Sequence, residues 1–340
     1  MIKNSYKFLF FLTMMLGTMI AVSSTSWFSI WMGLEINLLS FIPLMMSSKN
    51  LFSSESSLKY FLTQALASSI FLFSIILLYL FINFKTNLMM YNFMLISSTM
   101  MLKSGAAPFH FWFPSVMEGL NWYSNFFLMT WQKIAPLMIM SYCLSLNLLI
   151  FIIISSMIFG SLGGINQTSL RKLMAFSSIN HLGWMLAGML NNENIWLMYF
   201  LFYSFLNFSI IFLFNTFKLF NINQTFKMFN SNKMMNISLF MLLVSLGGLP
   251  PFLGFFPKWM IIELMIKNNM FLVLSLMLLM TLITLYFYLR ITYAALLLNH
   301  SNMNWNFKIN FNSKNIKPLM MITFISITGL SLINFMFMIV

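Results

Sequence analysis

Long apolar stretches separated by short polar connections set the strongest limit on the fold of this chain. A helix needs about 20 consecutive apolar residues to cross a bilayer. Hydrophobic residues make up 60% of the 340 residues and charged residues only 7%, a composition outside the range of soluble domains. We therefore predict an all-α, polytopic membrane protein with about 11 transmembrane helices. The predicted spans cover residues 8–24, 26–46, 58–82, 88–120, 125–146, 148–165, 172–190, 195–218, 236–267, 271–298 and 318–339.

The residues that most often hold metals and cofactors are scarce. The chain has one cysteine, Cys143, three widely separated histidines and no aspartate. One cysteine allows neither a disulfide nor an iron–sulfur cluster within the chain, and the missing aspartates argue against a carboxylate metal site or phosphoryl transfer. The Gly-Ser-Leu-Gly-Gly run at 160–164 has no βαβ pattern around it, which favours a flexible or close-packed helix end over a nucleotide site. We expect no cofactor and no metal on this chain.

The net charge of +13 is distributed in a way that predicts membrane orientation rather than nucleic-acid binding. Basic residues crowd one set of connections, whereas the opposite set contains only Lys85 and Lys267. This bias predicts an N-terminus on the matrix or cytoplasmic side and, after an odd number of spans, a C-terminus on the other side. The 35 methionines and the missing aspartate fit an AT-rich organellar gene. The crowded set comprises Lys3, Lys7, Lys49, Lys59, Arg171, Lys172, Lys218, Lys227, Lys233, Lys308, Lys314 and Lys317.

Two apolar stretches are interrupted by glycine and proline beside a lysine. The first reads Lys-Ser-Gly-Ala-Ala-Pro-Phe-His, from Lys103 to His110. The second reads Gly-Gly-Leu-Pro-Pro-Phe-Leu-Gly-Phe-Phe-Pro-Lys, from Gly247 to Lys258. Proline lacks an N–H and interrupts a helix, and irregular backbone at membrane depth must be buried in protein or line a wet cavity. We predict a broken helix and a functional site at each interruption.

Ionisable side chains inside the spans are the candidate site residues, because a charge at the bilayer centre costs about 2.5–3.5 kcal/mol on insertion scales. Burial also lowers the pKa of an amine, so a buried lysine can release a proton near neutral pH. A structural ion pair or a protonated acid is the alternative for Glu35, and a satisfied core histidine is the alternative for His110. The predicted proton-relay residues are Glu35, Lys103, Lys133, His181 and Lys258, with His110 as a weaker candidate.

Other polar or helix-breaking residues in the spans have narrower predicted roles. Thr63 and Gln64 lie on a face of small residues, and we predict that they hydrogen-bond to a neighbouring helix. Pro136 frees a carbonyl three or four residues upstream, which can face a water molecule or the ammonium of Lys133.

The interruptions recur with similar spacing, which predicts internal symmetry. Spans one to five have Glu35 in the second member and Lys103 in a broken fourth member, and spans six to ten have His181 and Lys258 in the same places. Because five is odd, the second copy enters the membrane from the opposite side, as in inverted-repeat transporters. We predict a first five-helix repeat at 1–146, a second, inverted repeat at 147–299, and a loop with a C-terminal transmembrane helix at 300–340.

The runs around these ionisable residues, together with both interrupted motifs, resemble the antiporter-like membrane subunits of mitochondrial NADH:ubiquinone oxidoreductase, respiratory complex I. The resemblance covers essentially the whole chain and fits the animal form of the family. It implies a proton-translocating subunit of the membrane arm, driven by electron transfer from NADH to ubiquinone elsewhere in the complex. It also implies that flavin, iron–sulfur clusters and quinone belong to other subunits, and that the partners are membrane-arm subunits and lipids rather than nucleic acid.

The same resemblance implies a role for each relay residue. Glu35 is expected to pair with Lys103 on the first broken helix, and Lys133 is expected to connect the two halves. His181 is expected on a central hydrophilic axis that leads to Lys258 on the second broken helix. Two other functions stay open from the residues alone: a stand-alone cation/proton antiporter, and a scaffold subunit whose buried charges are structural.

Overall fold

The computed structural model describes residues 5–47, 50–82, 88–190, 193–228, 233–294 and 320–331. Over these ranges the regular structure is helical apart from one isolated bridge between Ser169 and Asn221, so the prediction of an all-α fold is confirmed. The helices are α1 Ser5–Ser23, α2 Trp27–Met45, α3 Leu51–Ile82, α4 Leu88–Ser104, α5 Trp112–Gly119, α6 Trp122–Met129, α7 Trp131–Tyr142, α8 Leu146–Gly164, α9 Leu170–Met189, α10 Glu193–Phe217, α11 Ile222–Met228, α12 Lys233–Gly247, α13 Phe255–Lys267, α14 Phe271–Tyr293 and α15 Met320–Ser331.

Within these ranges, 6 helices are long and apolar enough to cross a membrane singly: α1, α2, α3, α8, α10 and α14. The predicted number of about 11 spans counts each broken pair as one crossing and stays a prediction. Of the predicted C-terminal segment 300–340, only Met320–Ser331 lies in the described part of the chain. The basic residues that lie outside the described ranges are Lys3, Lys49, Lys85, Lys308, Lys314 and Lys317.

The helices form two compact units, Met1–Ile152 and Ile153–Val340. In the first unit α2 packs against α1 at two glycines, which lets the backbones approach closely. A Cβ atom added at Gly33 would lie 2.7 Å from the backbone nitrogen of Ala21. One added at Gly17 would lie 2.9 Å from the backbone nitrogen of Asn37. This close packing holds the segment of α2 that carries the polar residues of the site.

The first unit contains one interruption that the sequence did not predict. The predicted span 125–146 is divided into α6 and α7, which meet at Thr130. The hydroxyl of Thr130 donates a 2.7 Å hydrogen bond to the Phe126 carbonyl, and α7 begins one residue later. Lys133 therefore lies in the first turn of a helix rather than inside a continuous span.

In the second unit α9 is the central helix, and nearly every residue from Leu170 to Met189 is buried. It packs against α10, α13 and α14. The glycine run at the end of α8 confirms the predicted close packing, because a Cβ atom at Gly160 would lie 2.7 Å from the backbone nitrogen of Asn180. A Cβ atom at Gly164 would lie 2.8 Å from the ring of Phe287 on α14.

Candidate functional site

The first interruption ends α4 in a way that places Lys103 at the carbonyl end of that helix. Gly105 has a φ of 76°, a conformation that favours glycine, and its N–H donates a 3.0 Å hydrogen bond to the Met101 carbonyl. The indole of Trp112, at the start of α5, donates a 3.1 Å bond to the Leu102 carbonyl. Lys103 thus lies in the last turn of α4, where the negative end of the helix dipole stabilises a cation.

The side chain of Lys103 is buried, with only 7% of the residue exposed, and it lines a cavity of about 20 Å³. The charge of Glu35, on α2, acts on Lys103 through space. In the part of the chain that the structure describes, the two side chains form no direct ion pair, and one oxygen of Glu35 is buried without a hydrogen-bond partner. The predicted pairing of Glu35 with Lys103 is therefore a long-range electrostatic interaction in this structure. The cavity is lined by Leu34, Asn37, Leu38, Tyr60, Gln64, Lys103, Gln132 and Pro136.

A chain of neutral polar side chains links three helices around this cavity. Tyr60 of α3 donates a 3.4 Å hydrogen bond from its hydroxyl to Oε1 of Gln132 on α7. Nε2 of Gln132 donates a 2.9 Å bond to Oδ1 of Asn37 on α2. None of these three residues has a role that was predicted from the sequence. Their only sequence signal is proximity, because Asn37 follows Glu35 by two positions and Gln132 directly precedes Lys133.

The predicted hydrogen bonds of Thr63 and Gln64 to a neighbouring helix have different outcomes. Nε2 of Gln64 donates a 3.4 Å hydrogen bond to the backbone carbonyl of Lys103, so its predicted role as a link between helices is confirmed. The Thr63 hydroxyl donates instead to the Lys59 and Tyr60 carbonyls of its own helix, at 3.1 and 3.0 Å. The prediction for Thr63 is therefore wrong, since a threonine hydroxyl can be satisfied by a carbonyl one turn earlier.

Lys133 is the most deeply buried of the three candidate lysines, at 1% exposure. Its ammonium lies 5.1 Å from the centroid of the Phe113 ring of α5, which is within the range of a cation–π contact. Pro136, one turn later, has no N–H to give to the Gln132 carbonyl four residues before it. Gln132 and Pro136 both line the cavity.

His110 is also buried, at 4% exposure. Its Nδ1 lies 3.3 Å from the Pro108 carbonyl oxygen, and its ring stacks on that of Phe111 with centroids 4.4 Å apart. These contacts are all within the interruption itself, and they fit the core-histidine alternative as well as a proton-transfer role.

The lysine of the second interruption lies on the other side of its break. Lys258 lies on α13, after the break, and its ammonium donates a 2.7 Å hydrogen bond to the carbonyl of Gly247, the last residue of α12. Gly248 has a φ of 83°, and a Cβ atom there would lie 2.9 Å from Nζ of Lys258. The two lysines therefore come from opposite sides of their breaks. Lys103 lies in the last turn of the helix before its break, whereas Lys258 lies after its break and reaches back to the carbonyl end of α12.

His181, in the middle of α9, is the polar centre of the second unit. Its Nδ1 lies 2.8 Å from the Tyr199 hydroxyl of α10, and its ring centroid lies 5.1 Å from that of Tyr203. The side chains of Asn207 and Ser178 hydrogen-bond with Tyr203. The two tyrosines were not predicted as site residues, because an aromatic residue in an apolar helix gives no sign of which partner its hydroxyl contacts.

The candidate residues thus fall into two groups. The first unit holds Glu35, Lys103, Lys133 and the weaker candidate His110, and the second unit holds His181 and Lys258. Among the described residues, no three or more His, Cys, Asp or Glu side chains come close enough to hold a metal ion.

Comparison with known families gives matches over nearly the whole chain. The family model described as NADH:quinone oxidoreductase/Mrp antiporter, TM, matches residues 24–284. A second model, NADH dehydrogenase subunit 2 C-terminus, matches residues 285–337. The proteins named NADH-ubiquinone oxidoreductase chain 2 from Anopheles gambiae and Locusta migratoria are 56% and 44% identical to this chain. The matches cover 97% of this chain in both cases, and 98% and 96% of the two relatives.

Solved structures share the fold. A chain of respiratory complex I from Thermus thermophilus with bound aureothin matches with a TM-score of 0.85 and 22% identity, over 97% of this chain and 79% of that one. A chain of the Mrp complex from Dietzia sp. DQ12-45-1b matches with a TM-score of 0.74 and 16% identity, over 84% of this chain and 59% of that one. At these identities the likeness is one of fold.

Proposed function

Since this chain belongs to the NADH:quinone oxidoreductase/Mrp antiporter family, we propose that it is a proton-translocating subunit of the membrane arm of an NADH:ubiquinone oxidoreductase. The observation that carries this function is the similarity to relatives named chain 2 of that enzyme over almost the entire length of both sequences. Three buried lysines inside an apolar helical protein supply groups that can hold and release protons.

The mechanism begins with electrostatics in the first unit. A carboxylate at Glu35 stabilises an ammonium at Lys103 through space. Two opposite unit charges about 4–8 Å apart at an effective dielectric constant near 20 interact by about 2–4 kcal/mol. About 1.4 kcal/mol changes a proton-binding equilibrium tenfold. A change of charge at either residue is therefore enough to make the other residue bind or release a proton.

The relay then continues through Lys133 to the second unit. We propose that a change in the charge of Lys103 alters the proton occupancy of Lys133, and that His181 and Lys258 respond in turn. In support, the Lys258 ammonium donates a hydrogen bond to a helix carbonyl, and a tyrosine hydroxyl lies within hydrogen-bonding distance of His181. Each residue therefore has a polar neighbour that can stabilise it when it carries a proton. NADH oxidation and ubiquinone reduction on other subunits supply the energy.

The finer architecture is part of the same proposal. The chain forms about 11 spans, in two inverted five-helix repeats at 1–146 and 147–299 followed by a last transmembrane helix in 300–340. In support, each compact unit contains a helix interrupted at a glycine with positive φ and a buried lysine beside that break. The N-terminus faces the matrix and the C-terminus the intermembrane space, in agreement with the distribution of lysines.

The proposed function also implies a location, neighbouring subunits and cofactors held elsewhere. The chain resides in the mitochondrial inner membrane and contacts other membrane-arm subunits and lipids. Flavin, iron–sulfur clusters and quinone are held by those other subunits. A stand-alone cation/proton antiporter is not favoured, because the chain of the Mrp complex is only 16% identical, whereas a relative named chain 2 is 56% identical over 97% of this chain.

The test uses the assembled complex with Lys103→Met or Glu35→Gln. Both variants are expected to lower the number of protons moved per electron, while NADH oxidation by an artificial acceptor is retained. Lys59→Met is the matched control, because Lys59 is exposed and pairs with Glu55 on the surface of α3 at 2.5 Å. An unchanged proton-to-electron ratio in both variants would establish the scaffold role instead.

A further inference from the structure

The C-terminal helix α15 has one buried face, and this face consists of small residues. Thr323, Ser326 and Gly329 are buried and follow one another at intervals of three, so they lie on the same side of the helix. Met321 and Phe324, between them in the sequence, are exposed. Small residues on a helix face allow another backbone to approach closely inside a membrane.

The small face of α15 contacts the second interruption, and the contact is made by backbone atoms. The N–H of Leu253 donates a 3.3 Å hydrogen bond to the carbonyl of Ser326. The hydroxyls of Thr323 and Ser326 donate instead to carbonyls within α15, those of Met320 and Thr323, at 2.9 and 2.7 Å. Gly329 completes the contact, because a Cβ atom there would lie only 3.0 Å from Cγ of Leu253. The link between α15 and the break therefore depends on close approach rather than on a polar side chain.

Leu253 lies at the end of the break, directly before the helix that carries Lys258. The next residue, Gly254, packs against α12, since a Cβ atom there would lie 3.0 Å from the carbonyl carbon of Ser245. Helix α13 begins at Phe255, and Lys258 lies in its first turn. Because one residue separates Leu253 from α13, a displacement of Leu253 also displaces the start of α13.

We propose that α15 positions the second broken helix: Ser326 and Gly329 hold Leu253, and this contact sets how closely Lys258 approaches the carbonyl of Gly247. Backbone groups of a broken helix at membrane depth need partners within the protein. A helix carbonyl can supply one, because its oxygen has a second lone pair. The strength of the Lys258 bond falls steeply with poorer distance and angle, so a small shift of α13 changes it.

This inference rests on the proposed function for its consequence in proton transfer, but the position of α13 can be measured without it. The first experiment places one label on α12 at Met241 and one on α13 at Ile266, both exposed positions, in the whole complex. Gly329→Ala pushes Leu253 away from α15 and is expected to change the distance between the labels. Phe324→Leu, on the exposed face of α15, is the control and is expected to leave that distance unchanged. An unchanged distance in assembled Gly329→Ala complex would overturn the inference.

A double-mutant cycle tests whether the effect passes through Leu253. Leu253→Ala keeps the backbone N–H but removes the Cγ and Cδ atoms that a Cβ at Gly329 would overlap. The two substitutions are expected to compensate, so the change in label distance in the double variant is smaller than the sum of the two single changes. Leu253→Ala alone also perturbs the contact, so it supplies the measurement if Gly329→Ala does not assemble. Additive changes, or no change in Leu253→Ala, would overturn the positioning role.

The last experiment measures proton translocation per assembled complex, normalised to NADH oxidation by an artificial acceptor. Gly329→Ala is expected to slow translocation by about 5-fold, the lower end of the cost of overpacking a tight contact. The Leu253→Ala substitution is expected to recover part of this loss, which a general loss of stability would not explain. Full pumping in Gly329→Ala while Lys258→Met fails to pump would overturn the positioning role alone. Full pumping in Lys258→Met would instead overturn the part of the proposed function that assigns Lys258 to the relay.

Discussion

Lys258 donates a 2.7 Å hydrogen bond to the carbonyl of Gly247, across an interruption that separates the two residues by 11 positions along the chain. The carbonyl at the end of a helix has no partner within the helix and carries part of the negative end of its dipole. An ammonium is the complementary group. This pairing explains how Lys258 is held in an apolar bundle although it forms no ion pair with a carboxylate among the described residues.

Gly248→Ala is expected to disturb this pairing. The substitution puts a Cβ atom 2.9 Å from Nζ of Lys258 and forces alanine into a left-handed conformation, at a cost of about 1–2 kcal/mol. Lower stability of the assembled complex and slower proton translocation are expected. Gly247→Ala is the control, because its added Cβ would find its nearest neighbour, in the Tyr288 ring, at an ordinary 3.5 Å. Equal behaviour of the two variants in a thermal-stability assay would contradict the argument.

Lys258→Met is expected to lower the proton-to-electron ratio while the complex still assembles. Methionine fills a similar volume and tolerates irregular surroundings, but it cannot donate to Gly247 or carry a proton. Lys267→Met serves for comparison, since Lys267 lies on the same helix, is exposed, and pairs with Glu263 at 2.8 Å. Proton pumping in sealed vesicles should fall only for the first. A similar fall for both would indicate a general effect of lost positive charge.

Tyr199→Phe is expected to weaken proton transfer through the second unit. The substitution removes the hydroxyl 2.8 Å from Nδ1 of His181 and keeps the ring, so a loss of about 0.5–1.5 kcal/mol in stability is expected. The larger effect should be on translocation, because the partner of one ring nitrogen sets which nitrogen of histidine holds the proton. Tyr286→Phe, at an exposed position of α14, controls for loss of a hydroxyl. Translocation rates that match in the two variants would rule out a role for the Tyr199 contact.

Gly33→Ala is expected to destabilise the contact between α1 and α2. Its Cβ would lie 2.7 Å from the backbone nitrogen of Ala21, which cannot move without shifting α1. Overpacking of this kind costs typically about 1–3 kcal/mol. Met32→Ala, at an exposed neighbouring position of α2, should have little effect on the melting temperature of the complex. Because Glu35 and Asn37 follow on the same helix, slower pumping should accompany the loss of stability at Gly33.

The sequence was sufficient to predict the helical class and both interruptions, because apolar length and the backbone limits of proline act locally. It was also sufficient to identify the buried lysines, since charges in apolar spans are few. The break at Thr130 was not predicted, as no glycine or proline marks it. The Asn37–Gln132 bond joins residues 95 positions apart, so only the packing of α2 against α7 reveals it. Thr63 was assigned the wrong partner because its own helix offers carbonyls at equal distance.

The bond from Lys258 to Gly247 has a further consequence for motion. It ties the start of α13 to the end of α12, so the two half-helices are held together by a group that can gain or lose a proton. An ammonium forms a stronger hydrogen bond to a carbonyl than a neutral amine does. Release of the proton therefore weakens the hydrogen bond between α12 and α13. Methionine cannot form this bond, so we expect the distance between labels placed on α12 and α13 to increase when Lys258 is replaced by methionine.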